Sequence, residues 1–233
     1  MRRLGPRAIT QDMSVLDAKA QAVVDRLQAQ ARSQMRALIA HFLPKLPWML
    51  TGRPVGLGAD MSFYDDKLLP LEPAQAELLY LLARSRRPRR AVEYGTSFGV
   101  STIHLAAAAR DVGAESRVIG TELVPAKVAA ARRNLEDAGL VAYVDILEGD
   151  ARETLNGLTE PVDLLLLDGW PSLAMEVLAI IEPRLSEGAM VIVDNVGQFP
   201  GDLRPVVEHL SSSPNYRMSR LPLRGGTLLA VRD

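Results

Sequence analysis

Ala91-Val92-Glu93-Tyr94-Gly95-Thr96-Ser97-Phe98-Gly99-Val100-Ser101 is the stretch that decides the fold of this 233-residue chain. A short apolar segment ends in Glu93, turns through Gly95 and Gly99, and enters an Ala-rich stretch. Glycine reaches positive φ at no steric cost and lets a ligand approach the backbone. The first strand-to-helix turn of an open α/β sheet uses this to form a crevice. The spacing departs from the dinucleotide fingerprint, because Ser97 stands where that pattern places a glycine against pyrophosphate. Glu93 would also repel phosphates. A cationic, phosphate-free nucleoside suits the turn better.

Working outward, apolar runs alternate with helix-like segments from about residue 70 onward. The expected strands are 91–94, 117–121, 143–147, 163–167 and 189–193, with helices over 73–83, 100–110, 125–138, 173–185 and 203–210. Residues 163–167 form a continuous apolar run, as a parallel strand buried on both faces should. Segments 216–221 and 227–231 flank Arg224-Gly225-Gly226 and read as a β-hairpin. The pattern predicts a doubly wound, Rossmann-like α/β sheet with an antiparallel C-terminal edge.

Before the sheet, Leu16, Ala20, Val23, Leu27, Ala31, Met35, Leu38 and Phe42 recur in steps of three and four, which describes one helix face. Ser14 can cap its start, and Pro44 and Pro47 end it. Residues 44–60, with Trp48, read as loop. The expected division is a helical cap over 1–60 and an α/β domain over 61–233. The apolar stripe of the cap must bury on the domain, a substrate or a second subunit, and a homodimer is the expectation.

Composition narrows the partners. A net charge of −1 gives no general reason to bind nucleic acid or an anionic membrane. The absence of cysteine removes thiol catalysis, thiolate metal sites and disulfides, and fits a reducing cytoplasm. No apolar h-region follows the basic start, and no apolar run approaches the roughly 18 residues of a membrane span.

Ligands of such sheets bind beyond the carboxyl ends of the strands. Glu93, Glu122, Asp150, Asp168 and Asp194-Asn195 fall at five successive strand ends. Glu122 can accept both hydroxyls of a ribose. Asp150 can meet an adenine amino group or cap the helix starting at Ala151, and both can hold together. Asp168, Asp194 and the Asn195 amide offer the hard oxygen ligands that Mg²⁺ prefers, unless the acids simply point into water.

The chain resembles the catechol O-methyltransferase-like family of class I S-adenosylmethionine-dependent methyltransferases. The resemblance rests on Val-Glu-Tyr-Gly-Thr-Ser-Phe-Gly-Val-Ser, Thr-Glu-Leu, Glu-Gly-Asp-Ala, Leu-Leu-Asp-Gly-Trp and Val-Asp-Asn-Val, in the family's order, over about residues 69–231. It implies a seven-stranded sheet and an S-adenosylmethionine site. Glu93, Gly95, Ser97 and Ser101 would surround the methionine end, Glu122 the ribose, and Asp150, Ala151 and Trp170 the adenine. Asp168 would border the cofactor and, with Asp194 and Asn195, hold Mg²⁺ or another divalent cation. That metal would chelate two vicinal oxygens of a small catechol-like acceptor for O-methylation.

Two positions depart from the family's pattern. Pro171 stands where a lysine commonly follows the Asp-x-Trp, and Arg224-Gly225-Gly226 replaces a late loop that often brings an acid. Metal and solvent would then suffice to ionise the acceptor, or Lys67 of the cap would substitute. Arg224 would meet an anionic group or remain a solvated turn residue. Trp48, Phe63 and Tyr64 would line an aromatic substrate pocket or pack the cap. His41, His104 and His209 have no ligand spacing. The arginines of 84–90 support the rival reading of an RNA methyltransferase; a nucleotide-binding oxidoreductase or non-catalytic domain is the other.

Overall fold

Leu164 to Leu167 have no polar side chain to offer water, and all four are 0–2% exposed. They form the centre of a seven-stranded sheet in a computed structural model that describes residues 14–43, 62–113 and 115–233. The strands are β1 (Arg90–Tyr94), β2 (Arg117–Glu122), β3 (Val144–Glu148), β4 (Val162–Leu167), β5 (Leu185–Val193), β6 (Tyr216–Leu221) and β7 (Thr227–Arg232). Their order is β3-β2-β1-β4-β5-β7-β6. The strands β1 to β5 run parallel, and β7 is antiparallel to both neighbours.

The antiparallel strand therefore lies one place in from the edge, and β6 is outermost. Side chains explain the exchange. Leu228 and Ala230 of β7 are fully buried, whereas β6 exposes Arg217 and Arg220. The more apolar arm of the hairpin takes the inner place, and charged residues occupy the edge, where they discourage pairing with another chain.

Helices α1 (Ala18–Phe42), α2 (Pro73–Arg86), α3 (Val100–Val112) and α4 (Pro125–Ala138) cover one face, and α5 (Ala151–Thr154), α6 (Ala174–Ile181) and α7 (Arg204–Ser212) the other. Each face has its own apolar cluster, so the sheet is buried on both sides as parallel sheets require. The strand order reverses between β1 and β4, and it is at such a point that an open sheet leaves a crevice at its carboxyl edge.

Asp17, not Ser14, caps α1. Its carboxylate accepts the Lys19 and Ala20 N–H groups at 2.9 and 3.0 Å. Ser14 instead bonds Gln21 and Leu16, because the chain leaves helical geometry before reaching it. The stripe Leu16, Ala20, Val23, Leu27 and Ala31 buries against the same chain, in one cluster with α3 and α4. Arg26 bonds Asn134 and Asp137, and Asp17 pairs with Arg110. Towards the far end Met35, Ile39 and Leu43 remain 45%, 58% and 61% exposed. The expected loop over 44–60 and Trp48 lie outside the described residues.

Candidate active site

Lateral hydrogen bonds continue the sheet one residue past its strands and bring the acids into register. The Asp168 N–H donates to the Tyr94 carbonyl, and that of Asp194 to the Leu167 carbonyl, each at 3.0 Å. Gly149 N–H reaches the Glu122 carbonyl at 3.0 Å, and Thr96 N–H that of Thr121 at 2.9 Å. Gly95 has φ +99°, as its position in the turn predicts. Its missing side chain makes room for protein, however: a Cβ there would stand 2.5 Å from Gly169 Cα and 2.7 Å from the Asp168 carbonyl oxygen. The turns after β1 and β4 meet backbone to backbone. Gly169, given no role of its own in the sequence reading, is the matching half of that contact, since its own Cβ would strike the Tyr94 ring.

The residues assigned to the cofactor divide into a buried and an open group. Glu93 is fully buried beneath the turn, where Thr96 and Thr102 donate to its Oε2. Burial pushes its carboxyl above the usual range, against the pull of the Ser101, Thr102 and Thr96 hydroxyls. Among the described residues its Oε1 is buried without a hydrogen-bond partner. Ser97, held at φ +49°, donates its N–H to Glu122 Oε2 at 2.8 Å, and Val124 N–H donates to Oε1 at 2.9 Å. The Glu122 carboxylate thus braces the glycine turn and retains lone pairs on both oxygens.

Asp150 is the N-cap of α5, accepting Arg152 N–H at 2.9 Å. The Arg152 guanidinium also grips both its oxygens and, with the backbone bond, holds its carboxyl below the usual range. Ala151 is buried beside it, and Trp170 sits edge-on to Tyr64 with ring centres 5.6 Å apart.

Asp168 and Asp194 do come together. Burial raises the Asp168 carboxyl well above the ordinary range, and the adjacent Asp194 carboxylate raises it further. Asp194 is buried and Asp168 half-buried, and two adjacent carboxylates withdrawn from water favour sharing a proton unless a cation replaces it. Asn195, at φ +62°, donates its amide N–H to Asp194 Oδ2 at 2.8 Å. Its Oδ1 lies against Gly225, only 2.7 Å from where a Cβ would stand. The amide must turn over to offer oxygen to a cation shared with the acids. Among the described residues no three His, Cys, Asp or Glu side chains gather as a metal-binding group. The donor set is two carboxylates and one amide.

Gln75, buried on the first turn of α2, donates to Asp194 Oδ1 at 2.7 Å, and the Thr227 hydroxyl lies 3.4 Å from the same oxygen. Sequence reasoning passed over both residues. The only signal for Gln75 was its place three residues after Glu72, where a glutamine completes a capping box.

On the cap side, Phe63 stacks on His41 at 3.7 Å and stands edge-on to Tyr64, which leads to Trp170. Gln34 of α1 holds this segment through the Asp66 carbonyl and the Leu68 N–H, at 2.9 and 2.8 Å. The Lys67 ammonium pairs with Asp66 and lies 4.9 Å from the Phe63 ring centre. Pro171 opens a short 3₁₀ turn. Arg224 is exposed and faces Glu72 Oε1 at 3.4 Å.

The remaining polar features are structural. His104 is buried, with its Nδ1 2.8 Å from the Val100 carbonyl oxygen, and burial pulls its ring below the ordinary imidazole value. His209 and Tyr216 both bond Glu182. The arginine run lies at the amino edge of the strands, opposite the acids. Arg86 bonds Gly188 and Asp163, Arg87 the Val112 carbonyl, Arg89 Glu115, and Arg90 Glu160. Those contacts give the run an intramolecular purpose.

With this geometry in place, comparison with known proteins is informative. A family model described as a methyltransferase domain matches residues 92–196. Catechol O-methyltransferase of Mycobacterium tuberculosis is 34% identical over 151 residues, covering 63% of this chain and 67% of that protein. Catechol O-methyltransferase of Niastella koreensis is 31% identical over 132 residues, 55% of this chain and 58% of that one. Among solved structures, O-methyltransferase TomG of Streptomyces achromogenes, in complex with S-adenosylmethionine, aligns with a TM-score of 0.66 at 25% identity, covering 73% of this chain and 85% of TomG. The O-methyltransferase of Bacillus cereus shares the fold, with a TM-score of 0.70 at 20% identity over 95% of this chain and 94% of that one.

Proposed function

The chain belongs to the catechol O-methyltransferase-like family of class I S-adenosylmethionine-dependent methyltransferases, and from that premise we propose that it methylates a hydroxyl of a small vicinal-dioxygen acceptor beside a divalent cation. The observation that carries the reading is the placement of half-buried Asp168 and buried Asp194 side by side, each one residue past the paired parallel strands β4 and β5, next to the glycine turn. Such a pair is costly without a counter-charge. Neutral amides and a hydroxyl are what bond Asp194, so its charge is left for a cation.

Glu93, Gly95, Ser97, Ser101, Glu122, Asp150, Ala151 and Trp170 would hold S-adenosylmethionine, whose sulfonium supplies the methyl group. The unpartnered Oε1 of Glu93 and the spare lone pairs of Glu122 fit a cationic, diol-bearing ligand. Asp168, Asp194 and Asn195 would hold Mg²⁺ or a similar ion, a Lewis acid that favours an ionised acceptor hydroxyl. Asp168 would give up the shared proton as the ion binds. Holding nucleophile and methyl group at attack distance can contribute up to about 7–11 kcal/mol. Pro171 has no proton-accepting group, and Lys67 pairs with Asp66, so solvent would take the proton of the acceptor hydroxyl. Phe63 and Tyr64 would wall the acceptor, with Arg224 near any anionic substituent.

The wider expectations stand as proposals: a cap over 1–60, a reducing cytoplasmic setting, and a homodimer to which Met35, Ile39 and Leu43 contribute. Among the described residues no helix is long and apolar enough to cross a membrane. The test is an acceptor screen with labelled cofactor. EDTA should abolish transfer, Mg²⁺ should restore it, and Asp194→Ala should lose transfer while still binding S-adenosylmethionine. Full-rate methylation by protein shown to be metal-free would sink the mechanism.

A further inference from the structure

Gln75 uses both ends of a buried amide. Its Oε1 accepts the Glu72 N–H at 3.2 Å, which completes the cap of α2. Its Nε2 lies 2.7 Å from Asp194 Oδ1, 2.9 Å from the Thr227 hydroxyl and 3.0 Å from the Arg224 carbonyl oxygen. Capping needs only the oxygen end. The nitrogen end joins three elements distant in sequence: the end of β5, the start of β7 and the turn before it.

We propose that Gln75 is a positioning residue that locks Oδ1 of Asp194 and leaves Oδ2 for a divalent cation. The inference rests on the metal reading above. The two oxygens are held differently. Oδ1 is bonded by an amide that cannot turn over, since its far end is fixed to Glu72 N–H. Oδ2 is bonded by Asn195, whose amide can turn. The chemistry of the donor matters as well. A lysine or arginine at this place would neutralise Asp194 and compete with the cation, whereas a neutral amide orients the carboxylate and preserves its charge.

The test uses the full chain with Mn²⁺ as probe, read by paramagnetic resonance or calorimetry. Gln75→Met keeps the length of the side chain and removes its donor. Outer partners of metal ligands are typically worth about 10–100-fold in metal affinity, so Mn²⁺ binding should weaken on that scale. Thermal melting should show a folded protein, and S-adenosylmethionine affinity should not change. Should the Met variant fail to fold, Thr227→Val leaves the cap of α2 intact and removes the hydroxyl shared by Gln75 and Asp194. It should weaken Mn²⁺ by about threefold or more, the worth of one hydrogen bond. A folded variant that binds Mn²⁺ like the wild type, beside an Asp194→Ala protein that does not bind it, overturns the proposal and leaves the metal site standing. Wild-type Mn²⁺ affinity in Asp194→Ala would remove the metal reading itself.

Discussion

Replacing Gly95 by alanine separates two reasons for a glycine at this turn. The first is the dihedral, since φ at Gly95 is +99°. An L-residue forced into left-handed backbone costs roughly 1–2 kcal/mol. The second is space. The new Cβ would stand 2.5 Å from Gly169 Cα and 2.6 Å from its nitrogen, and both are backbone atoms that cannot rotate away. Forcing an extra carbon into such packing typically costs about 1–3 kcal/mol, for a total of about 2–5 kcal/mol. For a domain of this size that corresponds to a melting point lower by roughly 4–20 °C. Gly99→Ala is the control. Its φ is +92°, but its Cβ would meet that of Ala131 at an ordinary 3.5 Å. Only the dihedral cost of roughly 1–2 kcal/mol then applies. Urea unfolding of both variants measures the difference. Calorimetry should also show weaker S-adenosylmethionine binding by Gly95→Ala, because parting the two turns opens the crevice. If Gly95→Ala is no less stable than Gly99→Ala, contact with Gly169 is not what demands the glycine.

Glu122→Ala removes the acceptor of the Ser97 and Val124 N–H groups and of the proposed ribose diol. Bonds to a charged acceptor are worth about 1.5–3 kcal/mol each, so S-adenosylmethionine should bind at least about tenfold more weakly; unchanged calorimetric affinity would remove Glu122 from the site. Glu93→Gln addresses a carboxyl whose folded pKa is raised above the ordinary 4.5 by burial. A raised value means stability fully present at low pH and lost as pH rises through the folded pKa. The wild type should therefore lose ground to the glutamine variant as pH increases from about 4.5 towards neutrality, as read from urea midpoints, and a gap independent of pH would refute the assignment.

The order of strands and helices was legible because apolar segments alternate with helix-like ones and each parallel strand ends at or just before an acid or a glycine. The run Leu164–Leu167 could hardly be anything but a central strand. What escaped was pairwise and distant. Nothing around Gly95 shows that Gly169 faces it, because the contact depends on how two turns meet across the sheet. Gln75 lies 119 residues from Asp194, and in sequence it looks like an ordinary helix cap. The hairpin itself was legible from its glycine turn, while the order of its two arms depends on comparing them for apolarity. The Ser14 cap was a near miss: Asp17 is the stronger acceptor and stands closer to the first helical residue.

The cap helix has one anchored foot and one working tip. Leu16 to Ala31 are packed into the core, while Gln34 and His41 touch the segment that leads to Trp170. The helix from Ala18 to Phe42 has 25 residues. At a rise of about 1.5 Å per residue the arm beyond Ala31 is about 16 Å long, so tilting that arm by about 7° carries the tip through about 2 Å. Such a tilt would make it a lever whose fulcrum is the helix layer and whose load is the proposed acceptor wall. Substitutions at Val23 or Leu27, far from any reacting atom, are then a means of widening or narrowing that wall without altering a residue in it.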